Sequence, residues 1–358
     1  MASRVPLCYH EGMRAADILT PDQVRTVQSK STLKGGLLIV HAWAVISGAM
    51  AVFAYWPNPL TFLLAVAVIA GRQLGLSILM HEGAHGLIAQ GAGLNLKLSQ
   101  WLCAYPVLLD TVAYRKYHLK HHARTQQPDD PDLVLSAPFP ITPKSFRRKV
   151  IRDLTGQTGL QQRLAQFRSA LGDPSLPWRE RLVRFRAQLG PQLLANLVLF
   201  AGLAATGYWY LYPLLWLLPL VTVYQLVLRI RNIAEHAIVP DDKDPFRNAR
   251  TTLAGPIARL FLAPYWVNYH VEHHLLMWVP CYNLAKMHRY LKQGPHGARI
   301  ETKNSYAEIL KLAVSRPDRD DDGGARVHDG KRRITGLIME TEPDDSFDHR
   351  GRSGEEAA

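Results

Sequence analysis

Nine of the fifteen histidines gather in four short runs, and each run has the spacing of a helix face. "HEGAH" sets His81 and His85 four apart, and "HLKHH" sets His118, His121 and His122 at i, i+3 and i+4. "NIAEH" places Asn232 four residues before His236, and "HVEHH" repeats the second spacing with His270, His273 and His274. Residues so spaced share one face of a helix, whereas i and i+3 point to opposite sides of a strand. Each run is therefore a patch of imidazoles aimed in one direction. Nine imidazoles brought together would repel if protonated, so the chemistry that suits them is neutral ligation of metal. A catalytic zinc takes about three protein ligands, so nine make a set for two metals with roughly four or five nitrogens each. Imidazole serves iron, zinc, copper and nickel alike, and spacing does not choose the element. Glu82, Glu235 and Glu272 each adjoin one of these histidines and are candidates to hold the outer nitrogen of an imidazole.

The elements that must position these patches are apolar. No Asp, Glu, Lys or Arg occurs from Gly35 to Gly71 or from Ala187 to Leu228, although the 358-residue chain carries a net charge of +12. Each stretch is about twice the ~20 residues needed to cross a bilayer once. Each has a turn signal near its middle, "WPNP" (56–59) and "GYWYLYP" (207–213). The pattern predicts an all-α integral membrane fold with four transmembrane helices in two hairpins, about 35–80 and 190–230; the alternative is a large buried soluble core. The hairpin tips carry no charge, whereas Lys30, Lys34, Arg115, Lys116, Lys120, Arg124, Arg229 and Arg231 flank the other ends. The positive-inside rule puts those flanks, both termini and all four histidine runs in the cytoplasm. The expected organisation is a cytoplasmic segment over 1–33 and a membrane domain over 34–315. Its cytoplasmic helical cap takes in about 81–186 and 231–315, and a disordered polar tail follows over 316–358.

Smaller features complete the reading. Thr20-Pro21-Asp22-Gln23 has the form of a capped helix start. Residues 92–109 are too short and broken for a span and suit an interfacial or re-entrant piece. Arg72, inside the second apolar segment, is either functional or locally paired. His41 suits a packed or hydrogen-bonded role, and His288, His296, His328 and His349 a solvated one. Cys8, Cys103 and Cys281 form no CxxC pair, so no disulfide framework or thiolate-bound metal is indicated. The basic block 143–186 suits either anionic headgroups or an acidic redox partner. No nucleic-acid motif accompanies it.

The runs "HEGAH", "HLKHH" and "HVEHH" resemble the three histidine boxes of the integral-membrane fatty acid desaturases and hydroxylases. Asn232 and His236 are similar to an Asn-x-x-x-His element of stearoyl-CoA desaturases, and "PDDPDL" and "HHLLMWVPCYNLAKMHRYL" are also family-like. The resemblance spans about residues 35–295. It implies two iron ions bound by His81, His85, His118, His121, His122, His236, His270, His273 and His274, with Asn232 reaching metal through water. It implies oxygen-dependent removal of hydrogen from an unactivated acyl or acyl-like chain, with O2 as co-substrate. Electrons would come from an external donor of the ferredoxin type, since the chain shows no flavin fingerprint. The third box lacks an initial Gln and no cytochrome b5 domain is present, so front-end desaturases match less well. The implied location is the bacterial inner membrane. One alternative is a hydroxylase or monooxygenase of the same family acting on an acyl, alkyl or specialised-metabolite chain. "HEGAH" also satisfies the HExxH of an intramembrane metalloprotease, which would leave the other boxes without a purpose. A metal transporter or sensor would place its ligands at mid-bilayer instead.

Overall fold

A computed structural model of the chain describes residues 14–316. All but the first residue of the expected tail, and with it His328 and His349, lies outside the described residues, as does Cys8. Helix α1 (Pro21–Val27) starts where the sequence signals it: Thr20 Oγ1 accepts from Gln23 N, and Gln23 Oε1 accepts from Thr20 N. Then come α2 (Thr32–Tyr55) and α3 (Pro59–Ala84), folded back at "WPNP". Asn58 Oδ1 stops the hairpin from fraying by accepting from Leu60 N and Thr61 N, with Pro59 in the first turn where no amide is needed.

Residues 92–109 form α4 (Ala92–Ser99), a π turn (Gln100–Ala104) and a 3-10 turn (Tyr105–Val107). Cys103, Ala104 and Val107 are buried, while Trp101 and Leu102 face outward. Irregular backbone of this kind is tolerated beside lipid only where partners satisfy it. Trp43 Nε1 donates to Leu102 O at 2.9 Å and Asn196 Nδ2 to Tyr105 O at 3.0 Å. Helix α5 (Thr111–Arg124) follows, capped by Asp110. The basic block forms α6 (Pro143–Leu154), α7 (Gln157–Leu171) and the first turns of α8 (Trp178–Ala205). That last helix therefore starts well before its charge-free stretch. The fourth long helix, α9 (Tyr212–His236), is π-wound over Tyr212–Leu217 and interrupted at Thr222.

Among the described residues, α2, α3, α8 and α9 are the four helices long and apolar enough to cross a membrane. Leu33, Leu37 and Val40 on α2 and Leu194, Leu197 and Val198 on α8 are exposed, as a lipid-facing surface requires. Helix α3 is the enclosed one, with every residue from Ile69 to Ala84 buried. Further elements, besides single turns at Ala15–Ile18, Leu133–Ser136 and Pro264–Trp266, are strand β1 (Thr251–Thr252), α10 (Pro256–Phe261), α11 (His270–Leu275), α12 (Cys281–Gln293), strand β2 (Thr302–Lys303) and α13 (Tyr306–Ala313). The two strands pair in parallel. Gly83 has to be glycine, because a Cβ there would overlap Ser99 Cβ where α3 meets α4.

Candidate metal centre

Four elements remote in sequence deliver the nine imidazoles to one place. The C-terminal end of α3 carries His81 and His85, α5 carries His118, His121 and His122, α9 ends at His236, and α11 carries His270, His273 and His274. All are buried except His85, which is partly so. They fall into two sets. His81, His85, His118 and His273 offer nitrogens that all lie within 4.8 Å of one another, and so do His121, His236, His270 and His274. His122 completes the first set, with its Nε2 at 2.9 Å from His118 Nε2 and 3.0 Å from His273 Nε2. His81 Nε2 lies 2.9 Å from His273 Nε2. In the second set the Nε2 atoms run His121–His236 at 3.2 Å, His236–His270 at 2.7 Å and His270–His274 at 3.1 Å. The rings of His122 and His274, 4.3 Å apart, join the two.

These contacts fit a ligand set for metal, with ring nitrogens of different helices facing one another. His121 Nδ1 donates to Asp130 Oδ1 at 2.8 Å, which fixes its proton on the outer nitrogen and leaves the Nε2 lone pair pointing inward. His274 Nδ1 likewise donates to Thr125 Oγ1 at 3.3 Å, since that hydroxyl spends its own hydrogen on His121 O. His81 Nδ1 meets Tyr114 OH at 3.1 Å. His85 Nε2 is buried without a hydrogen-bond partner. Lone pairs converging at such distances repel one another unless a cation lies between them, and a buried nitrogen without a partner calls for the same explanation. Burial and then the neighbouring imidazoles hold His118, His122, His270, His273 and His274 well below the ordinary histidine value. Burial, with Arg115 adding to it, takes His85 down to about 3. His121 goes the other way: burial pulls it down, but Asp132 and Asp130 together lift it above the usual value. A neutral, nitrogen-rich, water-poor centre is a ligand set for a transition metal.

The sequence model of the fatty acid desaturase family matches residues 29–303, which include every one of these histidines. The chain belongs to that family. Among its relatives is the dihydrorhizobitoxine desaturase of Bradyrhizobium elkanii, 26% identical over 74% of this chain and 77% of the relative. The sn-1 oleoyl-lipid 12-desaturase of a Picosynechococcus strain is 26% identical over 84% and 88%. The beta-carotene ketolase of a Paracoccus strain is 24% identical over 69% and 88%. The protein is thus a membrane oxidoreductase of the desaturase family with a histidine-built site for metal.

Within this desaturase-family site none of the three glutamates meets the outer nitrogen of a clustered imidazole. Glu82 Oε2 accepts from Cys281 N at 2.8 Å, and Glu272 accepts from His288 Nδ1 at 2.6 Å and Thr251 Oγ1 at 2.5 Å. Glu235 pairs with Arg231 at 2.6 Å and approaches His270 only at its inward Nε2, 3.4 Å away. The reason is helical: a residue next to a ligand points about 100° around the axis and cannot reach that ligand's outer nitrogen. Tied to Cys281, Glu82 is also not placed to activate water as an HExxH protease would need. His288 is not simply solvated, since it braces α11 through Glu272. The residues that do touch outer nitrogens are Asp130, Tyr114 and Thr125. Only Asp130 had a signal, the acid-rich run after the second histidine box. Asn232 lines a small cavity of about 20 Å³ together with His121, His236, His270 and Asp132, space for about one water beside the second set.

Proposed function

We propose that this protein is an oxygen-dependent desaturase that introduces a double bond into an acyl or acyl-like chain, with two iron ions as its resident metals. The observation that carries the reading is the division of nine imidazoles, eight of them buried, into two adjoining all-nitrogen sets. His81, His85, His118, His122 and His273 would hold one iron. His121, His236, His270 and His274 would hold the other, with Asn232 acting through water. When bound, the metal pair supplies the activation of O2 that an unreactive CH₂ group requires. The chain's own residues prepare the site: Asp130 and Thr125 keep protons on outer nitrogens, and burial of the rings excludes water.

Electrons come from an external carrier, for which a ferredoxin-type protein fits, and the basic block 143–186, which forms α6, α7 and the start of α8, is its dock in this reading. The Lys and Arg flanks favour a bacterial inner membrane location with the termini and the site cytoplasmic. The organisation into segment, membrane domain, cap and tail belongs to the same proposal. The ketolase relative favours a second reading, oxygen insertion into the chain by a hydroxylase or monooxygenase. Mass spectrometry of chain products from a host of simple lipid composition, with His121→Ala as the blank, decides between them. The expected product is a new double bond absent from the blank. An oxygenated chain would overturn the desaturase reading and leave the metal site standing.

A further inference from the structure

Between β1 and α11 the chain leaves the cap as a loop, residues 253–267, whose ends are tied together. Thr252 N donates to Asn268 O at 3.0 Å, and Asn268 Nδ2 donates to Thr252 O at 2.9 Å. From this neck, next to His270, the loop runs along α3 toward the middle of the span. A Cβ on Gly71 would stand 2.7 Å from Leu260 O, so the loop's backbone touches that of α3. Arg72 Nη2 donates to Leu260 O at 2.5 Å and to Arg259 O at 3.3 Å. Tyr265 OH meets His41 Nδ1 on α2 at 3.1 Å. Gly71 precedes His81 by about 15 Å of helix at 1.5 Å per residue. The tip of the loop therefore lies at the depth of the membrane-crossing parts of α2 and α3, far from the site end.

The backbone of this loop suits hydrocarbon, and so does its surface apart from Arg259, which is exposed but turns its Nε back onto Ala254 O. Ile257 is 77% exposed, and Leu253 and Leu260 also face outward, continuing the apolar surface of the spans. Backbone groups cannot be left bare in lipid, at a cost of several kcal/mol each. Here side chains take up carbonyls that water would otherwise serve. Arg72 caps those of Arg259 and Leu260, and Arg259 Nε donates to Ala254 O at 3.0 Å. Gly255 O accepts from Arg259 N, and Ala258 O from both Leu262 N and Ala263 N. Arg72 is buried and sits at the C-terminal end of α10, where a positive charge is favoured.

We infer that residues 253–267 form a membrane-dipping loop that inserts into the leaflet on the histidine side, with bilayer acyl chains as its partner. Arg72 is its positioning residue. The inference is independent of whether the enzyme desaturates or hydroxylates. The test uses the full chain in liposomes with a nitroxide on Ile257→Cys in a Cys8→Ser background, Cys103 and Cys281 being buried. Collisions with oxygen, which concentrates in lipid, are compared with those of a water-soluble nickel chelate. Reference labels are Leu63→Cys on the outer face of α3 and Lys243→Cys in an exposed turn. The expected result is that Ile257 matches Leu63, broadened by oxygen and shielded from nickel. Adding Arg72→Leu should release the loop and raise nickel access toward that of Lys243. A label at Ile257 that behaves like Lys243 in the parent chain would overturn the inference, as would one shielded from both agents, which would mean a protein partner covers the loop.

Discussion

Asp130→Asn is the substitution that tests most directly how the second imidazole set is held. The carboxylate of Asp130 accepts three hydrogen bonds: His121 Nδ1 and Asp132 N reach Oδ1, and Gln126 N reaches Oδ2, each at 2.8 Å. An amide of the same shape has one acceptor oxygen and one NH₂. If the oxygen stays toward His121, the NH₂ opposes Gln126 N–H and the turn after α5 is disturbed. If the amide turns over, the NH₂ opposes His121 Nδ1–H and drives the proton to Nε2, which removes that lone pair from the site. Even in the better orientation the bond to His121 loses its charge-assisted character. Losing an outer partner of a metal-ligating histidine typically costs about 10–100-fold in affinity, about 1.4–2.7 kcal/mol. The assay is metal content by elemental mass spectrometry during a chelator titration of the reconstituted protein. The expected outcome is early loss of metal from the set containing His121, with the other set retained. Glu272→Gln is the control, because Glu272 touches His288 and Thr251 but none of the clustered imidazoles. It should lower thermal stability with a smaller change in affinity. Unchanged metal affinity in Asp130→Asn, or an equal loss in Glu272→Gln, would refute the reasoning.

Three further outcomes are expected. The lowered values of His85, His118, His122, His270, His273 and His274 mean that the unfolded chain takes up protons near pH 6.5 while the metal-free fold does not. Their stabilisation is complete above pH 6.5 and lost as pH falls toward the folded values, about 3 for His85; His121, shifted upward, opposes this with one group. The Tm of chelator-treated protein should therefore fall between pH 7.5 and 5.5, and a flat profile would contradict the burial argument. Gly83→Ala should push α3 away from α4 at Ser99 and cost about 1–3 kcal/mol in thermal unfolding. Ser99→Gly in the same chain should recover most of that loss. Arg229→Met removes the partner of the fully buried Asp153, which accepts from Arg229 Nε at 2.5 Å and Nη2 at 2.8 Å. A loss of about 3–5 kcal/mol is expected, with Asp153→Leu in the same chain restoring much of it.

What is local was legible in the sequence. The charge-free stretches with a turn signal in each announce two helical hairpins. Thr20 and Gln23 announce a cap, and the i, i+3, i+4 spacing announces imidazole patches on helix faces. All of these depend on the helical period, the length of a span and the chemistry of the first turn, which a short segment carries within itself. The partition of the nine histidines does not. His118 and His122 stand one turn apart and join His81, His85 and His273, whereas His121, beside His122 in sequence, points about 100° away and joins His236, His270 and His274. Which set each imidazole enters depends on how α3, α5, α9 and α11 pack, and those helices are far apart in sequence. The same holds for Glu82, bound to Cys281 across the fold, and for Arg72, whose partners are carbonyls of a loop that returns to α3 from nearly two hundred residues away. The sequence by itself determined that imidazole patches suited to metal lie at the ends of four apolar, membrane-length helices. Only the tertiary structure decided which nitrogens share a centre and which groups hold their outer atoms, because those distances are set by packing between elements that no local pattern encodes.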